Sequence, residues 1–351
     1  MSKSLKIGMV GLGFISTMHL DGYAKCPEVE VVAFCDIIVE RAEKAAARCG
    51  AAGARVYSDY KKMFAEEKLD AVSVCTENCL HAEIAIAALD AGFHVFCEKP
   101  MAITGNEADA MVAAAKKNCR KLSVGYQLRF SHESQLLRKE VMSGRLGKIY
   151  YAEATTLRRR GVPTWGVFLN KAKQGGGPLI DTGTHIVDLT LWTMNDYSPI
   201  VSAIGRTYDE LIPMGGFNNG GHWDIDRFEV EDSAFGTVTL ASGAMIVVKA
   251  AWACNIKEMN INDTLLLGVN GGADLHNDSL TFNGESNDRL WLNTPEPMTT
   301  KDSMYDREIF AWIKCIVEDT EPVVKCEQAA QVVKVLEAIY TSARNGGKAI
   351  G

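Results

Sequence analysis

Two short segments of the sequence carry ionisable side chains that suit proton transfer. Lys99 follows the apolar run HVFC and lies between Glu98 and Pro100, while Asp181 and His185 are four residues apart in the segment GGGPLIDTGTH. Residues four apart on a helix lie on the same face. A histidine beside a carboxylate can remove a proton near neutral pH, and an ammonium group can stabilise negative charge on an oxygen atom. The oxidation of an alcohol requires groups of this kind.

Each of these side chains also has an ordinary structural interpretation. A lysine after a strand is commonly a solvated loop charge, with Glu98 as its partner. The helix that carries His185 is mostly apolar, so a core histidine bonded to a backbone carbonyl is an alternative. Asp181 would then complement the dipole of the first helical turn. These residues alone leave both interpretations open.

A glycine-rich turn near the N-terminus predicts a nucleotide site. Gly11 and Gly13, followed by Phe14 and Ile15, come after the first apolar run and open a helical pattern. The first glycine permits a tight turn, and the second lets the backbone approach a pyrophosphate at the start of a helix. Asp36 ends the second apolar run, where a carboxylate can accept both ribose hydroxyls. The turn and Asp36 together predict a dinucleotide, and the carboxylate favours NAD because it repels the 2′-phosphate of NADP.

The elements that must position these residues change in character along the chain. In the first 125 residues short apolar runs alternate with helical patterns, which predicts a doubly wound parallel sheet of the Rossmann type, covered on both faces. Later segments such as Ser233–Leu240 and Met245–Ala253 alternate in polarity and are joined by a short turn, as in antiparallel sheets. The apolar runs of the first part are Lys6–Val10, Val29–Cys35, Ala71–Cys75, His94–Cys97 and Leu122–Val124.

The sequence therefore predicts an α/β protein with two domains. Residues 1–125 would form the dinucleotide-binding domain. Residues 126–351 would form an α+β domain with a large, mainly antiparallel open sheet, for substrate binding and oligomerisation. The last helix, predicted over residues 327–345, is a candidate to pack back on the first domain.

Composition narrows the class of protein further. Of 351 residues, 47% are hydrophobic and 23% are charged, as in folded globular proteins, and the net charge of −7 argues against nucleic acid as a partner. No apolar run approaches the roughly 20 residues that span a bilayer, and the first strand starts too early to leave room for a signal peptide. The ten cysteines are scattered, without a CxxC pair or zinc spacing. We expect a reduced, cytoplasmic protein with no disulfide and no bound metal.

Taken together, the motifs resemble those of the Gfo/Idh/MocA oxidoreductase family, named for glucose–fructose oxidoreductase and inositol dehydrogenase. GLGFI with Asp36, TENCLH, EKP and GGGPLIDTGTH are similar to hallmarks of that family, and EAIYTSARNGGKAI is similar to its last helix. The likeness covers nearly the whole chain. It implies transfer of a hydride between C4 of nicotinamide and a ring carbinol of a sugar, glycoside or inositol.

The resemblance also assigns roles by position. Lys99 matches the catalytic lysine, and Asp181 and His185 match the catalytic acid and histidine. We expect His185 to act as the general base, held by Asp181, while Lys99 polarises the reacting oxygen; whether Lys99 or His185 takes the proton stays open. Glu77 stands where the family usually has proline. The predicted cofactor contacts are Gly11, Gly13, Phe14, Ile15, Asp36, Thr76, Asn78, His81, Glu98, Lys99, Gln127 and Tyr340.

The substrate is predicted less narrowly than the reaction. Trp165 could stack on a pyranose ring or anchor its own loop. Arg158 and Arg160 would share one face of a strand. If that face lines the cleft, an anionic sugar such as a uronate or nucleotide sugar is favoured, whereas a subunit boundary there favours a neutral one. The predicted substrate contacts are Lys99, Tyr126, Arg129, Arg158, Trp165, Asp181 and His185.

Three functions remain compatible with the sequence. The first is an NAD-dependent sugar or polyol dehydrogenase that releases its cofactor each turnover. The second is a lyase or glycosidase that retains NAD and oxidises the sugar transiently. The third is a noncatalytic NAD-binding regulator, against which the presence of Lys99, Asp181 and His185 argues.

Assembly is predicted from the second domain. The predicted strands before and after the turn at residues 241–243 carry apolar side chains on both faces. Val238, Leu240, Ile246 and Val248 would lie on one face, and Met245 and Val247 on the other. A soluble monomer rarely exposes so large an apolar surface. Pairing with a second copy would cover it, and the family resemblance also implies dimers or tetramers. We expect a homodimer or homotetramer.

Overall fold

Two compact units make up the protein in the computed structural model, which describes residues 4–50, 53–222 and 224–351. The first unit comprises Met1–Gln127 and Thr300–Ala330, and the second comprises Leu128–Thr299 and Gln331–Gly351. The division falls within the last helix. The boundary at residue 125 and the packing of the last helix on the first domain stay predictions.

The first unit is built on a six-stranded parallel sheet. Its strands are β1 (Leu5–Val10), β2 (Val29–Cys35), β3 (Arg55–Tyr57), β4 (Ala71–Val74), β5 (His94–Cys97) and β6 (Leu122–Val124). Their order, β3-β2-β1-β4-β5-β6, is the one typical of dinucleotide-binding folds. The predicted Rossmann sheet is therefore confirmed, with one short strand, β3, that the sequence pattern did not indicate.

Helices cover this sheet, and one of them comes from late in the chain. They are α1 (Phe14–Ala24), α2 (Val39–Arg48), α3 (Tyr60–Glu66), α4 (His81–Asp90), α5 (Gly105–Lys117) and α9 (Met304–Val317). α9 packs against α1 so closely that a Cβ atom at Gly22 would lie 2.9 Å from the side chain of Ile309. Ile309 and Trp312 are buried in the same core cluster as Met9 and Phe34. Residues from far along the sequence therefore complete the core of the first unit.

The second unit contains a mixed, mainly antiparallel sheet of eight strands. They are β7 (Ile149–Arg158), β8 (Ile200–Tyr208), β9 (Ser233–Leu240), β10 (Met245–Ala251), β11 (Asn260–Gly268), β12 (Gly272–His276), β13 (Ser279–Ser286) and β14 (Arg289–Asn293). The order is β14-β13-β12-β11-β7-β10-β9-β8, and only β7 and β10 pair in parallel. Its helices are α6 (His132–Met142), α7 (Lys171–Gln174), α8 (Thr184–Met194) and most of α10 (Cys326–Arg344). The predicted fold class is confirmed.

The two faces of this sheet differ. Val238, Leu240, Ile246 and Val248 are buried on the face that α8 contacts. On the opposite face Met245 is 38% exposed. Long alternating strands thus give the sheet one face inside its own unit and one facing outward.

Between β8 and β9, the described residues of the segment 209–229 form two short 3₁₀ turns, at Ile212–Met214 and Ile225–Arg227, and no strand. Trp223 lies outside the described residues. Asn218 fixes this loop, because its side chain bonds both the N–H and the carbonyl of Val162 at 2.9 and 3.0 Å. No helix among the described residues has the length and apolar character needed to cross a membrane.

Candidate active site

The glycine-rich turn lies between β1 and α1 in a conformation that needs glycine first. Gly11 has φ of +84°, and a Cβ atom there would lie 2.7 Å from the backbone of Cys75 and Thr76. Gly13 precedes α1 and has no atom within 4 Å of a built Cβ position. The first glycine is therefore required by the protein itself. The second leaves open space at the helix N-terminus, where backbone N–H groups can bind a pyrophosphate.

Asp36 follows β2 and is bound to the same turn. Its Oδ2 accepts the N–H of Leu12 at 2.7 Å, and its Oδ1 accepts the N–H of Ile38 at 2.8 Å. A carboxylate has about four acceptor positions, so it can still accept ribose hydroxyls. Phe14, the first residue of α1, and Ile37, next to Asp36 in the chain, are 79% and 87% exposed and so are accessible to a ligand. The turn, the carboxylate and these apolar side chains fit NAD.

The segment after β4 is joined to the segment after β5. Asn78 begins a 3₁₀ turn and is buried, and Thr76 is half-buried. The ring nitrogens of His81 lie 2.7 Å from the carbonyl oxygen of Pro100 and 3.1 Å from that of Thr76. Burial lowers the pKa of His81. His81 has no exposed surface and joins these two segments, and its contact with a cofactor stays a prediction.

Glu98 and Lys99 lie directly beyond β5. Glu98 is buried, and its Oε2 accepts the N–H of Lys99 at 3.0 Å. Lys99 itself is half-buried. Gln127 follows β6 and donates to the hydroxyl of Tyr305 at 3.3 Å. The predicted cofactor contacts of the first unit thus lie at the carboxyl ends of β1, β2, β4, β5 and β6, where parallel sheets of this kind bind ligands.

In the second unit a glycine run leads into the segment that carries Asp181 and His185. Gly175 ends α7 with φ of +88°. Glu231 accepts the N–H of Gly177 at 3.0 Å and the hydroxyl of Tyr340 at 2.6 Å. Burial raises the pKa of the Glu231 carboxyl. The Tyr340 hydroxyl packs against Gly176, leaving no space for a Cβ atom. Tyr340 thus supports this glycine run, and its contact with the cofactor stays a prediction.

Asp181 lies in a π-helical turn, Leu179–Gly183, and not in the first α-helical turn as predicted. The hydroxyl of Thr182 donates to the carbonyl oxygen of Pro178 at 3.1 Å, and α8 starts only at Thr184. Single π turns are frequent at functional sites. Asp181 is buried, and its Oδ2 accepts the indole N–H of Trp252 at 2.9 Å. His185, one residue into α8, is half-buried.

Two predicted substrate contacts lie in the interior. Arg129 donates through Nε and Nη2 to both oxygens of Asp188, at 2.8 and 2.6 Å, and neither side chain is exposed. Tyr126 is also fully buried. A strand-end position does not specify whether a side chain points into the core, and the contact of these two residues with a substrate stays a prediction.

The remaining predicted substrate residues follow β7. Arg158 donates to the carbonyl of Gly161 at 3.1 Å. Arg160 donates to the carbonyl of Cys254 at 3.2 Å and to the side chain of Asn255 at 2.8 Å. Trp165 is 57% exposed, with its ring 6.0 Å from that of Phe168 in an edge-on arrangement.

Sequence reasoning missed three residues that hold the site. Glu231 and Trp252 are described above, and His19 of α1 contacts Glu98 with Nε2 2.8 Å from Oε1. Each acts through a partner far away in the chain. The available signals in the sequence were the acid Glu231 and the tryptophan Trp252 near apolar residues, and His19 within a mainly apolar helix. None of these signals identifies a partner.

Comparison with known proteins agrees with this arrangement. Residues 5–126 match the GFO/IDH/MocA oxidoreductase family model for an NAD-binding Rossmann fold. Residues 138–350 match the C-terminal alpha/beta domain of the same family.

Individual proteins are similar over most of their length. A D-glucoside 3-dehydrogenase of Escherichia coli (strain K12) is 33% identical over 346 residues, which cover 98% of this chain and 97% of that protein. A levoglucosan dehydrogenase of Pseudarthrobacter phenanthrenivorans is 27% identical over 82% of this chain and 76% of its own. The structure of a levoglucosan dehydrogenase with NADH and levoglucosan has the same fold, with a TM-score of 0.83 at 24% identity over 99% of both chains. The chain therefore belongs to the Gfo/Idh/MocA oxidoreductase family and is an NAD-dependent enzyme of the sugar dehydrogenase type.

Proposed function

We propose that this enzyme oxidises a ring carbinol of a neutral glycoside, with C3 of a glucoside as the first candidate. The observation that carries the choice of a neutral substrate is the bonding of Arg158 and Arg160. Both guanidinium groups donate to carbonyl oxygens of their own unit, and this supports a structural use for them over recognition of a uronate. A relative that is similar over nearly its full length, a D-glucoside 3-dehydrogenase of Escherichia coli, supports C3.

The proposed chemistry divides among three side chains. Bound NAD⁺ supplies the hydride acceptor at C4 of its nicotinamide ring. His185 takes the hydroxyl proton of the substrate, and Asp181, held by the indole N–H of Trp252, orients His185. Lys99 stabilises the oxygen as negative charge develops on it. Trp165 offers an exposed ring on which the apolar face of a pyranose can stack.

A substrate panel tests this proposal. Methyl glucosides, glucose, levoglucosan, myo-inositol and glucuronate are each incubated with NAD⁺ or NADP⁺, and NADH formation is followed at 340 nm. We expect stoichiometric NADH with glucosides and the loss of the H3 proton signal in the NMR spectrum of the product. A preference for glucuronate would refute the neutral substrate. Product formation without net NADH would favour the lyase or glycosidase that retains NAD.

Substitution of the proposed catalytic residues tests their roles. We expect His185→Ala and Lys99→Ala each to lower kcat by roughly 100-fold or more, the usual cost of losing acid–base or electrostatic assistance. His222→Ala, in the exposed loop, serves as the control and should keep the activity of the wild type. Near-normal turnover by His185→Ala at every pH would exclude it as the base.

We also propose that the enzyme works as a homodimer or homotetramer in the cytoplasm. The exposed face of the second sheet supports assembly, since Ile204, Phe235 and Met245 are 47%, 37% and 38% exposed on neighbouring strands. The ten cysteines form no disulfide, which supports a reducing compartment.

A further inference from the structure

A buried histidine lies behind the turn that carries Lys99. His19 of α1 has Nε2 2.8 Å from Oε1 of Glu98, and the other oxygen of Glu98 accepts the N–H of Lys99 at 3.0 Å. The side chains of His19 and Glu98 are only 2% and 8% exposed. A chain of two hydrogen bonds therefore joins α1 to the backbone of Lys99.

The direction of these hydrogen bonds follows from chemistry. Burial, the largest influence, favours a neutral Glu98, but the hydrogen bond and charge of His19, together with the charge and N–H of Lys99, more than offset it, so the pKa of Glu98 is below its ordinary value. An ionised carboxylate only accepts, so Nε2 of His19 carries the proton that it donates. Burial raises the pKa of Cys75 well above its ordinary value. Its thiol, 3.5 Å from Nδ1 of His19, can therefore donate to that nitrogen.

The surroundings leave the Glu98 carboxylate little choice of position. A Cβ atom at Gly125 would lie 2.8 Å from Oε1, so the chain after β6 closes one side. The ring of Phe96 meets the His19 ring edge-on with centroids 5.0 Å apart. Without the imidazole, a buried carboxylate would lose its donor and either rotate or gain a proton. Both changes would weaken the bond to the N–H of Lys99.

We propose that His19 is a positioning residue for Lys99, acting through Glu98 to fix the backbone from which the Lys99 side chain extends. This inference rests on the proposed role of Lys99 in the reaction. His19 does not touch the substrate. Its contribution is to keep the ammonium group in one place, and errors of about 1 Å in such a position can cost roughly 100-fold in rate.

Three variants of the full-length enzyme test the inference. His19→Ala removes the hydrogen bond, whereas His19→Gln retains a donor that can reach Glu98. Tyr23→Phe is the matched control, because Tyr23 is a buried residue of the same helix whose hydroxyl bonds Ser73 at 2.7 Å and not Glu98. For each variant kcat, the KM for NAD⁺ and the hydrogen exchange rate of the Lys99 amide are measured, the last by NMR without substrate.

We expect His19→Ala to lower kcat by roughly 10- to 100-fold while the KM for NAD⁺ changes less than about threefold. The Lys99 amide should exchange roughly tenfold faster. His19→Gln should restore both quantities to within about threefold of the wild type. Tyr23→Phe should lower the melting temperature yet leave both quantities unchanged, because a purely structural defect does not act on Lys99.

The inference is overturned if His19→Ala matches Tyr23→Phe in kcat and in Lys99 amide exchange, or if His19→Gln restores neither. If His19→Ala does not fold, Glu98→Ala, which removes the acceptor of the Lys99 N–H, tests the same chain from its other end. In this variant the Lys99 amide should exchange roughly tenfold faster than in the wild type. An unchanged exchange rate would also overturn the inference. If the wild type oxidises no sugar, the proposed function fails, and amide exchange still decides the role of His19.

Discussion

Asp36 combines two roles in one carboxylate. It accepts N–H groups from Leu12 and Ile38, and so shapes the glycine-rich turn, and it retains acceptor positions for a ribose. A sequence motif identifies the second role only. The first role depends on the turn and the end of β2 lying side by side, which a parallel sheet provides.

We expect the enzyme to prefer NAD⁺ over NADP⁺, and Asp36→Asn to narrow that preference by removing the charge that repels a 2′-phosphate. The asparagine oxygen can still accept one of the two N–H groups, so stability should fall less than in Asp36→Ala. The ratio of kcat/KM for the two cofactors and urea unfolding measure these effects. Equal use of both cofactors by the wild type would contradict the assignment.

His94 gives the first unit a dependence on pH. Its Nδ1 accepts the N–H of Lys121 at 2.9 Å, and burial, aided by the charges of Arg120 and Lys121, lowers its pKa to about 4. The unfolded chain, with a histidine pKa of about 6.5, binds the proton first. Stability should therefore fall as the pH drops from about 6.5 to about 4, and the loss should level off below that range.

The matched variant is His94→Asn, whose side-chain oxygen can accept the same N–H without titrating. We expect it to flatten the pH dependence of the free energy of unfolding between pH 4 and 6.5 by roughly 1 kcal/mol, a value reduced for solvent screening. Urea unfolding at several pH values measures it. An unchanged pH dependence would show that other groups are responsible.

At the scale of elements, the two glycines of the nucleotide turn should respond differently to alanine. Gly13→Ala meets no protein atom within 4 Å, so its melting temperature should stay close to that of the wild type while NADH affinity falls at least roughly tenfold. Gly11→Ala combines a positive φ with contacts of 2.7 Å to backbone atoms and should lose more than about 1 kcal/mol of stability.

Fluorescence titration with NADH and thermal unfolding separate these outcomes. Gly243→Ala, at a positive φ in open space, is the control for backbone strain alone. Loss of stability in Gly13→Ala would indicate that the turn, and not the cofactor, requires that glycine.

The elements were predictable wherever their pattern was local. The strands β1, β2, β5, β6 and β9 lie within about a residue of the runs chosen from the sequence, because β-branched residues and flanking turns mark them. The hairpin β13–β14 was missed although Asn287 and Asp288 both adopt positive φ, as a two-residue type I′ turn requires. The π turn could not be foreseen, since Asp181 and His185 show the spacing of an ordinary helix.

The candidate site was predictable in its motif residues and not in the residues that hold them. Lys99, Asp181 and His185 were chosen from short segments. Arg129 was placed in the substrate site because a strand end precedes it, but its partner Asp188 is 59 residues away. Pairing of that kind depends on tertiary packing, which one sequence does not display.

At the scale of the whole molecule, the outward face of the second sheet is the surface through which we propose that the enzyme assembles. Met245 and Val247 lie on it, across from Tyr151 and Glu153 of β7. Glu153 forms an ion pair with Lys249 there, and Tyr151 donates to Glu153 at 2.7 Å. A second copy would have to cover both the apolar side chains and this polar group, so the contact should be sensitive to added charge.

We expect Met245→Lys and Val247→Lys to dissociate the assembly at micromolar concentration while NADH binding is retained. An isolated buried charge is costly because it loses its water without gaining a partner. Light scattering measures the mass, and Lys148→Glu, outside the strand in the neighbouring turn, is a control that alters charge elsewhere. A wild-type mass equal to one chain under dilute, active conditions would contradict the proposal.

The π turn at Leu179–Gly183 contains one residue more than an α-helical path between the same points would need. Each residue of an α-helix turns the chain by about 100°. The extra residue therefore rotates the glycine run by about that angle about the axis of α8, relative to an uninterrupted α-helix. Its consequence concerns insertions and deletions. We expect the removal of a single residue here to restore a regular helix, to leave Asp181 and His185 in the sequence, and to carry Asp181 away from Trp252, so the length of this segment matters to the candidate site as much as its composition.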